Sequence, residues 1–179
     1  CCMVATCGDD CGLAARQWRE VMEAKGITAD AAYSVQMPNT YVIFPGFDVD
    51  KSDVEQRKLS AVPQAADALC RRIEAMEKGD FTHHGSVAWL KSRIIYPWFM
   101  RHVDDTPFAT TDACVGCGRC AAACPTANIT ISSHKPQWHG DCLNCLACYH
   151  TCPHHAVAFG KRTHGKGQYT CPDNKSTSK

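Results

Sequence analysis

The sequence predicts two units of different class: a partial α/β unit built on a parallel sheet and, after it, a small pseudo-symmetric α+β unit. Three observations carry this. A strand–helix–strand pattern fills residues 1–37, a long amphipathic helix pattern follows from Ser52, and a cysteine-rich run beginning at Cys114 recurs 28 positions later at Cys142. The 179 residues suffice for one ordinary domain or two small ones, and the 45% hydrophobic content is that of a globular chain. Residues 1–108 hold 12 basic and 15 acidic side chains and residues 109–179 hold 7 and 3, so the formal charge of +1 conceals an acidic first part and a basic second part.

Cys1 to Thr6 is an apolar run followed by the polar turn Cys7-Gly8-Asp9-Asp10, the pattern of a strand and the loop at its carboxyl end. Leu13, Ala14, Trp18, Val21 and Met22 then fall on one helical face, and Gly26 is placed as the C′ residue that ends the helix. Ala31 to Met37 reads as a second strand. Joined through a helix of this length, the two strands run parallel, and the loop after the first lies at the ligand-binding edge of the sheet. Such a half-sheet needs further cover.

Pro38 ends the second strand, and residues 39–50, with Pro45-Gly46, have a loop's composition, although Tyr41, Phe44 and Phe47 require cover. Ser52 and Glu55 match a capping box, and Val62, Ala66, Leu69, Ile73 and Met76 mark the buried stripe of a helix ending near Gly79, with a bend at Pro63. Residues 80–85 read as a linker in which His83 and His84 are solvated. Val87 to Met100, with Trp89, Ile94, Trp98 and Phe99, reads as a third apolar helix whose last turn Pro97 weakens, its aromatics serving core or interface packing.

The repeat carries the chemistry. Cys114-x-x-Cys117-x-x-Cys120-x-x-x-Cys124-Pro125 is answered by Cys142-x-x-Cys145-x-x-Cys148-x-x-x-Cys152-Pro153, and each run leads into an alternating segment, Ile129-Thr130-Ile131 or Val157-Ala158-Phe159, that reads as a strand. Three cysteines spaced in this way let one loop hold three corners of an iron–sulfur cube while its amides face the sulfurs. The fourth corner must come from elsewhere, and in bacterial-type runs the fourth cysteine, preceding Pro, serves the other cluster. This spacing assigns Cys114, Cys117, Cys120 and Cys152 to one 4Fe-4S cluster and Cys142, Cys145, Cys148 and Cys124 to a second. Gly116 and Gly118 permit close backbone approach in the first loop, whereas Leu143, Asn144, Leu146 and Ala147 give the second a drier surround, so the two potentials are expected to differ. Zinc fits poorly, because two tandem triads each ending in Cys-Pro match no common zinc spacing.

Six of the 14 cysteines remain, Cys1, Cys2, Cys7, Cys11, Cys70 and Cys171, and they read as small hydrophobes. A reducing, cytoplasmic setting is expected, since it keeps thiols available for metal, and neither a secretory signal nor an apolar stretch long enough for membrane insertion is present. Two oxidised clusters with their thiolates contribute about −2 each, which cancels the basic excess of the second part, so no nucleic-acid partner is inferred. Lys161, Arg162 and Lys166 form a basic tail suited to solvent or to an acidic partner.

Together the cysteine runs with Cys148-Tyr149-His150, the Thr6-Cys7-Gly8-Asp9-Asp10 turn, the segment Ser34-Val35-Gln36-Met37-Pro38-Asn39-Thr40-Tyr41 and Pro45-Gly46-Phe47-Asp48 resemble the flavodoxin-ferredoxin fusion proteins of anaerobic bacteria. The resemblance implies that residues 1–79 are the C-terminal half of a flavodoxin-like domain entered at its fourth strand, 80–108 a helical linker, 109–170 a two-cluster 4Fe-4S ferredoxin domain, and 171–179 a disordered tail. It implies FMN in a full-length parent, of which the chain would be a fragment without the phosphate-cradling loop, and it puts Thr6, Cys7, Gly8 and Asp9 near the flavin ring. The expected function is electron transfer between a redox-protein donor and acceptor through two 4Fe-4S clusters, coupled in the parent to FMN. An iron–sulfur flavoenzyme and an electron-wiring subunit of a larger oxidoreductase are the alternatives. No constellation of acid, base and nucleophile stands out, so no catalytic residue is assigned.

Overall fold

Strand pairing in the computed structural model, which describes residues 1–85, 89, 91–101 and 103–172, follows the parallel order predicted for the first strands. The chain divides into two units, Cys1–Asn39 with Asp50–Arg101, and Thr40–Val49 with His102–Lys179.

In the first unit β1 (Cys2–Cys7) pairs with β2 (Ala31–Gln36) from Cys2↔Ala31 to Cys7↔Gln36, and α1 (Ala14–Ala24) makes the connection. The helix ends as predicted. Gly26, at φ 71°, takes the left-handed C′ position, its N–H donates to Glu23 O, and the Ile27 N–H donates to Met22 O at 3.0 Å, which satisfies carbonyls that the helix leaves open.

Residues 80–85 were expected to be a linker, but β3 (Gly79–Phe81) adds a third parallel strand beyond β2. Tyr33 stacks on Phe81 across that pair with ring centroids 5.3 Å apart, and the Arg72 guanidinium covers the Phe81 ring at 4.4 Å. Three residues are too few to register as a period; cross-strand packing makes them a strand. Arg72 belongs to α2 (Ser52–Glu74), which runs unbroken through Pro63 and stops short of Gly79. The capping box does not form, because Ser52 is already helical and Lys51 occupies the N-cap position without a side-chain bond. Nor is the predicted stripe buried: no α2 residue is, and Ile73 remains 37% exposed, since a three-stranded sheet offers little apolar surface to a helix of 23 residues.

The helix predicted over 87–100 is described in part. A π-helical turn (Lys91–Ile95) runs directly into α3 (Tyr96–Met100), which contains Pro97, and residues 86–88 and 90 lie outside the described residues. Trp89 and Ile94 are exposed rather than packed as expected. No helix among the described residues is long and apolar enough to cross a membrane.

The second unit is built on the repeat. It comprises β4 (Phe108–Thr110), α4 (Arg119–Ala122), β5 (Ile129–Ser132), β6 (Lys135–Trp138), α5 (Ala147–His150) and β7 (Val157–Phe159). The offset that relates Cys114 to Cys142 also relates β4 to β6, α4 to α5 and β5 to β7. It carries the register too: Phe108↔Phe159 maps onto Pro136↔Ile131, and Thr110↔Val157 onto Trp138↔Ile129. The two predicted strands are present, and each pairs antiparallel with a strand that the sequence pattern did not announce. Of the tail expected over 171–179, residues 173–179 lie outside the described residues.

Thr40–Val49, grouped by sequence with the first unit, packs within the second. Val42 and Ile43, 0% and 3% exposed, join Phe108, Ile129, Leu146, Tyr149, Val157 and Phe159 in its core, while Phe47, expected to be covered, is not. The Thr40 carbonyl accepts from His150 Nε2, the Phe47 carbonyl from Lys166 Nζ at 2.7 Å, and Asp48 Oδ1 from the Gly167 N–H at 2.9 Å. Where the segment leaves and rejoins the first unit, Asn39 donates its N–H to Asp50 Oδ2 at 3.0 Å and its amide to Oδ1 at 3.2 Å. Lys58 Nζ reaches the same carboxylate at 2.7 Å, with both side chains 11% exposed.

Removing two methyls from the core in Val42→Ala should cost the second unit about 2 kcal/mol, read as a lower urea midpoint for the signal of that unit. Burial alone would raise the Asp50 carboxyl, but the hydrogen bonds from Lys58 and Asn39 and the Lys58 charge outweigh it and hold the group below its usual value. Its stabilisation is therefore present above the unfolded carboxylate value of about 4 and is lost as pH falls through the lower folded value. Asp50→Asn should be less stable than the native chain at pH 6, and the difference should shrink below pH 4 in urea titrations at each pH.

Candidate metal centre

Both cysteine loops turn inward through left-handed backbone at matching positions. Gly116 and Gly118, at φ 72° and 75°, correspond to Asn144 and Leu146 at 54° and 61°. Alternation of this kind aims successive N–H groups to one side, as an anion-binding nest does. Gly116 is also required sterically, because a Cβ there would stand 2.7 Å from the His134 carbonyl. Leucine is disfavoured in this conformation by about 1 kcal/mol, and Leu146 holds it with a side chain only 1% exposed in the core.

Two cavities lie behind these loops. One is lined by Cys114, Cys117, Cys120 and Cys152; the other by Cys142, Cys145, Cys148 and Cys124. The structure thus brings together the two quartets that the sequence assigns, each drawing three cysteines from one run and the last from the other. Their settings repeat: Cys117 and Cys145 are exposed, while Cys120 and Cys148 are buried. Among the described residues no three or more His, Cys, Asp or Glu side chains are placed to hold a single metal ion; four cysteines line each cavity.

Hydrogen bonds to sulfur are also paired. The Asn128 N–H donates to Cys124 Sγ and the equivalent Ala156 N–H to Cys152 Sγ, both at 3.3 Å, and the Asn144 N–H donates to Cys142 Sγ. Burial pushes the thiols of Cys120 and Cys142 up and that of Cys148 up to about 12, with neighbouring cysteines adding to the rise. Cys124 differs. Burial would raise it, but bonds from Thr126 and Asn128 hold it below its usual value. Metal binding at these thiols would have to displace their protons.

The walls fit such a group. Trp138 Nε1–H is buried without a hydrogen bond of its own, yet stands close enough to Cys148 to offset part of the rise that burial causes in its thiol. An orphaned donor beside a sulfur suits an anionic sulfur acceptor. Behind the second cavity, Asp105 Oδ2 accepts from Asn128 Nδ2 and from the Gly140 N–H, both at 2.8 Å, and Asn128 Oδ1 accepts from the His139 and Asp141 N–H groups. This network fixes the approach to Cys142 and was not foreseen. Its signal in the sequence is Asn128, a polar residue where the repeat mate is Ala156. His150, also missed, accepts the Tyr169 N–H on Nδ1 at 3.1 Å; burial lowers its basicity, so it holds the Thr40 carbonyl as a neutral ring.

Thr6, Cys7, Gly8 and Asp9 lie in the first unit, at the carboxyl end of β1 and in the loop beyond. That loop is closed by its own contacts. Asn39 Nδ2 lies 3.1 Å from both Asp9 carboxylate oxygens, Lys58 approaches Asp9 at 3.4 Å, and a Cβ on Gly8 would collide with the Asn39 amide. Burial, reinforced by neighbouring Cys11, pushes the Cys7 thiol up to about 12.

Residues 113–157, which contain all eight cysteines of the two runs, match the family model described as a 4Fe-4S dicluster domain. No curated protein and no solved structure matches the chain. The match supports a ferredoxin-like iron–sulfur domain in the second unit, and it does not extend to the first.

Gly116→Ala should cost about 2–3 kcal/mol, combining left-handed strain with the collision at His134, whereas Gly165→Ala, at φ 71° in open space, should cost about 1 kcal/mol. Urea unfolding of the two variants side by side checks the difference.

Proposed function

We propose that the second unit holds two 4Fe-4S clusters and passes electrons one at a time between redox proteins. The observation that carries this reading is the pair of similar cavities, each lined by four cysteines drawn crosswise from both runs. In it, Cys114, Cys117, Cys120 and Cys152 ligate one cluster and Cys142, Cys145, Cys148 and Cys124 the other. When bound, the clusters supply one-electron storage at potentials set by charge, burial and hydrogen bonds to sulfur.

The chain's own residues do the rest. Buried Cys120, Cys148 and Cys152 anchor the inner corners, and the amides of Asn128 and Ala156 hold charge on the two crossing ligands. Exposed Cys117 and Cys145, flanked by Val115 and Leu143 at 58% and 60% exposure, leave an apolar, solvent-facing edge at each cavity for contact with a redox partner.

Coupling to FMN in a longer parent belongs to the same reading. Its support is the parallel β1–β2 pairing, which sets Thr6, Cys7, Gly8 and Asp9 at the carboxyl edge of the sheet, where open α/β sheets take ligands. A purified full-length parent should then release FMN on denaturation, seen by its fluorescence, and one that retains no flavin after FMN addition and gel filtration would contradict the coupling.

Anaerobic reconstitution of this chain should load about eight irons and give, on reduction, the EPR signal of two interacting clusters. Stoichiometric zinc in their place would sink the reading. Cys124→Ala should retain about four irons, with the first-run cluster intact; loss of that cluster instead would overturn the crosswise ligation.

A further inference from the structure

The repeat supplies its own control. Cysteine spacing, left-handed residues, short helices and strand register are the same on both sides, so a functional difference between the two centres must come from side chains at equivalent positions. Resting on the two-cluster reading, we infer that Arg119 makes the centre of Cys114, Cys117, Cys120 and Cys152 the stronger electron acceptor, where the electron of a half-reduced chain resides.

Arg119 is the first residue of α4 and lines the cavity of that centre; its counterpart Ala147 opens α5 and lines the other. Besides Arg119 and His154, no titratable side chain other than cysteine lines the first cavity, and the second has no such side chain at all. Negative charge instead lies behind the second. The carboxylate of Asp105, 7% exposed, acts on the Cys142 sulfur, and that of Asp141 on Cys124.

An added electron is an added negative charge, so a cation at one centre and two carboxylates at the other act in the same direction. Opposing them at the second centre are the Thr126 hydroxyl, 3.5 Å from Cys124 Sγ, the Trp138 N–H and the Asn144 N–H, which donates to Cys142 Sγ at 3.3 Å. The amide bonds of Asn128 and Ala156 cancel by symmetry. The three full charges set the balance, because dipole fields fall off faster with distance. Arg119 is exposed, and solvent limits its share to roughly a three- to tenfold preference.

The test is potentiometric EPR on the reconstituted full chain at pH 8, where imidazoles are uncharged. The native chain should reduce in two separate one-electron steps. Arg119→Gln should shift only the easier step, narrowing the preference by roughly three- to tenfold, a tenfold change being about 59 mV for one electron. Arg119→Lys should keep most of the gap, and Ala147→Arg should shift only the harder step toward the easier one. If the chain holds eight irons but Arg119→Gln moves neither step, or moves the harder one, the inference is wrong while the two-cluster reading stands. A chain that does not load both centres contradicts that reading and the inference with it.

Discussion

Neither repeat can close its own cavity. Each cysteine triad sits on one half of the second unit, and the fourth cysteine of its cavity comes from the run on the other half. Strand exchange enforces the same dependence. β4 pairs with β7 and β5 with β6, so the strand after the second triad is held by the strand before the first, while β5 and β6 join the halves in a hairpin. Filling the cavities with metal would cross-link the halves covalently, so that folding and loading are linked.

The remaining features of this unit serve that closure. Leu146 accepts a left-handed backbone because its side chain completes the core while its turn faces the cavity. Asp105 and Asn128 satisfy each other and the backbone around Gly140, so a polar network is buried without an orphaned carboxylate and the entry to Cys142 is fixed. Val42 and Ile43 reach the core from a segment whose flanking residues, Asn39 and Asp50, belong to the first unit and are held together with Lys58. Excising the cysteine-rich part alone would remove these two side chains from its core.

The cysteines that line the two cavities stood out in the sequence because cluster chemistry demands a fixed spacing: Cys-x-x-Cys-x-x-Cys followed by Cys-Pro is a geometric statement about one loop and one crossing residue. The strand β1, the helix α1 and its Gly26 terminus were legible because local physics decides them. What was not legible is tertiary. β3 is three residues whose pairing depends on Tyr33 and Phe81, and the segment around Val42 has a loop's composition and a core residue's burial. The α2 stripe was read as buried from its period alone, although burial also needs a facing surface that three strands do not provide.

Pseudo-symmetry explains why the two cavities match and lets their differences be read one side chain at a time. The central claim is crosswise ligation of two clusters, and anomalous diffraction at the iron edge, from crystals of the anaerobically loaded chain, tests it most directly. The account predicts two separate iron sites, each in contact with three cysteines of one run and with Cys152 or Cys124 of the other. Iron bound by four cysteines of a single run, or a single metal ion in each cavity, would contradict it.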